Sequence, residues 1–337
     1  MSNAKFGVTG IGNALVDILA PATDEFLRDQ DARFGMKRSS MNLIDQSRAV
    51  ELYGSMGPGR EVSGGSAANT MAAYASLGGK GAYIGKVAQD QLGTVFSHDM
   101  KSIGVHFDTA PLSGETETGR CMILVSEDGN RTMNTFLGAA VELTPDDIDE
   151  QLIRDSAVTY MEGYLYDPPL AMQAFQKAGR IANEAGRKVS LSLSDPFCVD
   201  RHREDFIELV DHHVDILFGN EEEIKSLYQA DDWNLISGLV KDRCEIVVLT
   251  RSEKGSVIFN CGDVFEIAAE PVARVVDTTG AGDAYAAGFL FGYTQGCPME
   301  VCGQYGSIAA AEVISHIGPR PEQPLSALIA GKTRMTG

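Results

Sequence analysis

Short apolar or β-branched runs separated by helix-length stretches constrain this chain more than any other feature. The runs lie at 6–11, 82–87, 158–163, 189–193, 214–218 and 246–250. Helix-period patterns occupy 66–77, 91–103, 170–185, 221–228, 283–295 and 299–315. A strand that feeds a helix and returns parallel to itself builds βαβ units. The alternation therefore predicts an α/β fold with a doubly wound, mostly parallel sheet. Ile246-Val-Val-Leu-Thr250 is apolar in consecutive positions rather than alternate ones, which fits a sheet covered on both faces.

Two stretches break this rhythm. Residues 34–43 are polar and extended. Residues 107–137 hold two strand-like runs, GRCMILVSE and RTMNTFL, joined by the turn signal Glu127-Asp-Gly-Asn130. Strands without intervening helices make an antiparallel patch, predicted here as a small discontinuous β lid from 21–44 and 106–139. Residues 1–20, 45–105 and 140–337 then form the large domain. Pro319, Pro321 and Pro324 end the last long helix before a short helical tail.

Composition removes several classes. Lys plus Arg number 28 against 47 Asp plus Glu, for a net charge of −19, so nucleic acid and anionic membrane are excluded as partners. The six cysteines, Cys121, Cys198, Cys244, Cys261, Cys297 and Cys302, include no CxxC pair, against a disulfide scaffold or structural zinc. No run of 18 apolar residues occurs, and Met-Ser-Asn-Ala-Lys-Phe lacks the core of a signal peptide. A cytoplasmic location is expected.

The strongest chemical signal is Asp277-Thr-Thr-Gly-Ala-Gly-Asp283, leading from an expected strand end at 273–276 into an apolar helix. Gly280, Ala281 and Gly282 leave their N–H groups open to an anion at a helix N-terminus, with no lysine required. Asp283, in the first turn, can accept a proton from an attacking hydroxyl, as phosphoryl transfer to an alcohol requires. Taken alone, the same Asp is equally a helix cap.

Residues 277–290, DTTGAGDAYAAGFL, resemble the C-terminal signature of the ribokinase-like (PfkB) sugar and nucleoside kinase family. Gly64-Gly65-Ser-Ala-Ala-Asn69 resembles its N-terminal signature, with Met71 in place of a small residue, and Asn220-Glu-Glu-Glu223 resembles its NxxE motif. The motifs occur in the family's order and span most of the chain. Gly12-Asn13-Ala-Leu-Val-Asp17, Leu191-Ser-Leu-Ser-Asp-Pro196-Phe197 and 215–221 are similar to adenosine kinases within that family.

The resemblance implies a ribokinase-like fold and transfer of the ATP γ-phosphoryl to a primary hydroxyl, with Asp283 as base. The acceptor it favours is the 5′-hydroxyl of adenosine, giving AMP. The same machinery also serves a free sugar such as ribose, fructose or 2-keto-3-deoxygluconate. A catalytically silent nucleotide binder is the third reading, against which an intact Asp283 argues. By similarity, Asp17 would hold vicinal hydroxyls among Asn13, Gly64, Gly65 and Asn69, with Phe136, Phe197 and Met133 available for a base. Asn220, Thr250, Gly255, Thr278, Gly280, Gly282 and Ser315 would hold ATP, with Gly318 near Ser315. Glu223 would bind Mg²⁺ through water, and Asp277 would support a monovalent cation such as K⁺. Arg131 of the lid would reach the donor phosphate, unless it is simply an exposed hairpin residue. Gly138-Ala-Ala-Val141 departs from the family's usual small-small-Asn run, which bears on substrate selectivity. Lid edges can pair two copies into a homodimer.

Other patterns fail on their spacing. Gly10-Ile-Gly12 begins a dinucleotide fingerprint, but Leu15 stands at the third Gly and Asp17 comes too early. The segment 114–121, GETETGRC, mimics a P-loop with Arg120 for Lys and Cys121 for Ser/Thr. Asp211-His212-His213 has no matching second cluster for a metal, and His316 reads as a helix-end residue.

Overall fold

A computed structural model describes residues 4–127, 130–166, 168–240 and 243–333. Its strands are β1 (Phe6–Ile11), β2 (Leu15–Pro21), β3 (Met41–Leu43), β4 (Arg60–Gly64), β5 (Gly81–Ile84), β6 (His106–Phe107), β7 (Thr118–Val125), β8 (Arg131–Gly138), β9 (Ser156–Glu162), β10 (Lys188–Ser192), β11 (Ile216–Asn220), β12 (Ile246–Thr250), β13 (Ser256–Asn260) and β14 (Asp263–Ile267). Nine of them form a sheet in the order β14-β13-β12-β11-β10-β9-β1-β5-β6. The pairings from β12 to β6 are parallel, and β13 and β14 add an antiparallel edge.

Successive side chains of a strand point to opposite faces, so an apolar run feeds two cores. On β12, Ile246 and Val248 enter one core while Val247 and Leu249 enter the other. Helices Ser66–Ser76, Ala281–Thr294 and Met299–Val313 pack into the first core, and Pro169–Glu184 into the second. The chain starts at β1 and winds to β5 and β6 on one side and to β9 through β12 on the other. Strand order reverses at β1, where open α/β sheets bind ligands beyond their carboxyl ends.

The remaining five strands form a second sheet in the order β3-β8-β7-β2-β4. Its boundaries differ from those expected. β2 and β4 belong to it, although 1–20 and 45–105 were assigned to the large domain, while β6, expected in the lid, extends the large sheet. Only Gly12, Asn13 and Ala14 separate β1 from β2, too few for a parallel crossover, so the chain must leave the first sheet there. β7 and β8 pair antiparallel as the turn signal predicts, though Asp128 and Gly129 of that turn lie outside the described residues. The expected strand end at 273–276 is irregular, tied by Val276 N to Ile314 O at 2.8 Å. No helix among the described residues is long and apolar enough to cross a membrane.

Candidate active site

A cleft of about 690 Å³ opens where the topology places it, between the carboxyl ends of the large sheet and the inner face of the small one. Asn13 follows β1, Glu162 ends β9, Ser194 and Asp195 follow β10, Asn220 ends β11 and Thr250 ends β12, and all six line it. Cys121, Ile123, Met133, Thr135 and Leu137 face it from the small sheet.

Gly280 caps the helix Ala281–Thr294 in the left-handed region, with φ of 77°. A Cβ there would lie 2.6 Å from Pro319 O, so only glycine permits both the turn and its seat against the C-terminal segment. Thr278, Gly280, Ala281 and Gly282 line the cleft at the helix N-terminus, but Ala281 N already donates to Thr278 O at 3.2 Å, so the anion-facing amides are those of Gly280 and Gly282. Asp283 stands within the first turn. Its Oδ1 accepts from Ser66 Oγ at 2.6 Å, and Asn69 bonds it as well. Burial raises its pKa to about 7, and the neighbouring carboxylates Glu162 and Asp17 push the same way. A carboxylate poised there can take a hydroxyl proton near neutral pH.

Asp17 lies on β2, after the first strand, and is 7% exposed. A Cβ on Gly64 would meet Asp17 Oδ2 at 2.4 Å, so Gly64 makes room for the carboxylate instead of lining the cleft. Burial raises Asp17 to about 6, and the Arg320 and Arg131 guanidiniums pull it back. Gly65 and Asn69 do line the cleft. Asn13 Nδ2 donates to Glu162 Oε1 at 2.8 Å, and Ala67 N donates to Glu162 Oε2 at 2.8 Å. Asn13 Oδ1 is buried without a protein partner, an unsatisfied acceptor beside the cleft. Burial lifts Glu162 to about 7. Sequence reasoning missed Glu162 and Ser66. A strand-ending Glu was the only signal for the first, and Ser66 lay inside a motif read for its glycines.

Asn220 and Glu223 form a capping box. Asn220 Oδ1 accepts from Glu223 N at 2.9 Å, and Glu223 Oε2 accepts from Asn220 N at 3.0 Å. Burial raises Glu223 to about 7, and Asp195 adds to it. Among the described residues no cluster of three or more ligating side chains could hold a metal directly. With the Glu223 oxygens committed to the cap, the hard oxygens of Asp195 and Glu223 fit a hydrated Mg²⁺, not a directly ligated one.

Several expected site residues lie elsewhere. Phe136 is not on the cleft wall. Strand alternation turns Met133, Thr135 and Leu137 inward, while Phe136 lies 5.9 Å from the Arg120 guanidinium. Gly255 serves the β12–β13 turn, where a Cβ would strike Ile267 O at 1.9 Å. Ser315 bonds Ala311 O at 2.7 Å and borders a separate shallow groove with Glu312 and Glu322. Asp277 is fully partnered. Its Oδ1 accepts from Thr279 N and Oγ1, and its Oδ2 accepts from Gly318 N and pairs with Arg131 at 2.5 Å. An arginine of the small sheet thus places a positive charge beside Asp277.

The model of the pfkB family carbohydrate kinases matches residues 40–325, most of the chain and all three motifs. The chain belongs to the pfkB family. It is 49% identical to the adenosine kinase of Sinorhizobium meliloti, covering 99% of this chain and 100% of that one, with a TM-score of 0.90. A probable sugar kinase from Rhizobium etli is 48% identical, with a TM-score of 0.91 and coverage of 98% and 99%. The adenosine kinase of Saccharomyces cerevisiae is 28% identical over 94% of this chain and 97% of the yeast protein. This pfkB kinase is thus a phosphotransferase with a hydroxyl acceptor, a sugar or a nucleoside, on the ribokinase-like α/β fold.

Proposed function

We propose that this pfkB kinase transfers the γ-phosphoryl group of ATP to the 5′-hydroxyl of adenosine, giving AMP and ADP. One observation supports the acceptor above the others. The cleft that holds Asp17, Asn13 and Asp283 is also lined by the apolar side chains of Leu43, Ile123, Met133, Leu137 and Phe197. A ribose needs the polar half, and a purine needs the apolar half. Phe197 is 74% exposed at the rim, a ring free to cover a base.

In this reading Asp17 and Asn13 orient the ribose hydroxyls. Asp283 accepts the 5′-hydroxyl proton as the oxygen attacks the γ-phosphorus, and ADP leaves. The Gly280 and Gly282 amides hold the transferred phosphoryl charge at the helix N-terminus. Asn220, Thr250 and Thr278 flank the donor. Asp195 and Glu223 would hold Mg²⁺ through water, and that ion supplies neutralising charge on the donor phosphates. The small sheet excludes water over the reacting groups. The product suits purine salvage in the cytoplasm, and β3 and β4, each paired on one side only, are edges on which a second copy can dock.

A sugar acceptor is the second reading, supported by the relative named a probable sugar kinase. ADP release from Mg-ATP separates them on a panel of adenosine, inosine, guanosine, ribose, fructose and 2-keto-3-deoxygluconate. Adenosine-dependent turnover at micromolar substrate, absent with free sugars, supports the nucleoside reading; turnover with a sugar alone overturns it.

A further inference from the structure

Arg320 has no role in the chemistry above, yet its guanidinium bridges the helix that carries Asn69 and the strand that carries Ser63. Nε donates to Asn69 Oδ1 at 3.1 Å and NH1 donates to Ser63 Oγ at 2.7 Å, while NH2 lies 3.7 Å from Met100 Sδ. Asn69 belongs to the helix that begins at Ser66, and Ser63 to β4 of the small sheet. Burial lowers the Arg320 pKa to about 10, with Asp17 and Asp99 opposing the shift, so it stays charged at neutral pH.

The segment that carries Arg320 is pinned on both sides. Gly318 N donates to Asp277 Oδ2 at 2.9 Å, Gln323 N to Glu312 Oε1 at 2.9 Å, and Leu325 N to Ser76 Oγ at 3.0 Å. Pro319 and Pro321 stiffen the backbone on either side. The guanidinium is therefore delivered from a fixed base. A flexible tail would not hold it so.

An asparagine amide has one accepting end and one donating end. Arg320 can only donate, so it holds Oδ1 of Asn69 to itself and turns Nδ2 toward the Asp283 carboxylate, which Asn69 bonds. Without Arg320 the amide is free to flip, and its oxygen would then face a carboxylate. We propose that Arg320 is a positioning residue of the phosphoryl-transfer site, fixing the Asn69 amide so that it donates to Asp283 and tying that contact to the root of the small sheet through Ser63. The inference rests on the reading of Asp283 as the base.

The test is a cycle of Arg320→Met, Asn69→Ala and the double variant, with kcat and KM measured by ADP release using adenosine, or ribose if only the sugar turns over. Arg320→Met is expected to lower kcat about 10-fold with KM for ATP within about twofold, an effect the size of one charged hydrogen bond. Because it acts through Asn69, the double variant should fall no more than about twofold below Asn69→Ala. Arg320→Lys, which keeps the charge and one donor, should recover part of kcat, and it takes over the cycle if Arg320→Met does not fold. Losses that multiply in the double variant, or a wild-type kcat in Arg320→Met, overturn the inference. Asp283→Asn, run alongside, separates the failures: retained turnover there removes the base reading and this inference with it. Loss there with normal Arg320→Met kinetics removes this inference alone.

Discussion

Ser66 Oγ and Asp283 Oδ1 lie 2.6 Å apart although 217 positions separate them in the chain. Ser66 opens the helix after Gly65 and Asp283 lies in the first turn of the helix after Gly280, so two helix N-termini converge on one carboxylate. Their positive dipole ends meet where a phosphoryl group would carry its charge. The hydroxyl also steadies the carboxylate it touches.

Asp283→Asn is expected to lower kcat by about 10² or more while adenosine and ATP still bind, since a general base contributes roughly that much. Calorimetric titration with each ligand, beside ADP release, checks it. Turnover within a few-fold of the parent would remove Asp283 from the base role.

The same variant makes a stability prediction whose sign follows from the raised pKa. Asp283 titrates near 7 in the fold, well above its ordinary value of 3.8, so the folded state holds the extra proton between those limits. Its contribution to stability is complete below about pH 4 and is lost as pH rises through about 7. Asp283→Asn, which cannot ionise, should unfold about 2–5 °C above the parent at pH 8, and that gain should shrink at pH 5. Thermal unfolding of the ligand-free proteins at both pH values decides it; a gain that grows toward pH 5 would mean the sign is wrong.

Phe197 and Phe136 should behave oppositely. Phe197→Ala is expected to raise KM for adenosine about 10-fold with little change in Tm, from lost base contact. Phe136 packs against the first core, so Phe136→Ala should cost about 1–3 kcal/mol of stability and leave KM near the parent value. A normal KM in Phe197→Ala would take the base away from that rim.

These two phenylalanines also show how far the sequence could be read. Their residue type made both candidates, but the face on which Phe136 falls depends on which sheet its strand joins, and a one-residue shift inverts every side chain. β4, Arg-Glu-Val-Ser-Gly, has no strand pattern of its own; it exists because β2 supplies partners from a distant part of the chain. The parallel strands and their helices were legible because each carries its own period, and Asp17, Asn69, Asn220 and Asp283 because short motifs hold them. Glu162 and Arg320 belong to no motif. Only the convergence of β9 and the C-terminal segment on the cleft gives them meaning.

Arg131 and Asp277 form a buried pair, 9% and 7% exposed, between the small sheet and the anion loop. Arg131→Ala would leave the Asp277 carboxylate with its amide and hydroxyl donors only. The expected cost is about 1–3 kcal/mol, below that of an isolated buried charge because those donors remain. KM for ATP should rise with it, since the small sheet loses its tie to the loop. Denaturant unfolding and ATP kinetics measure both, and an unchanged unfolding midpoint would show that the pair does not hold the two sheets together.

The most direct measurement is of the product itself. Adenosine incubated with Mg-ATP and the protein should yield 5′-AMP and ADP in equal amounts, with phosphorus resonances placing the new ester on the 5′ carbon. ADP formed without AMP, or phosphate on another hydroxyl, would contradict the assignment of Asp283 as base to a 5′-hydroxyl held by Asp17 and Asn13.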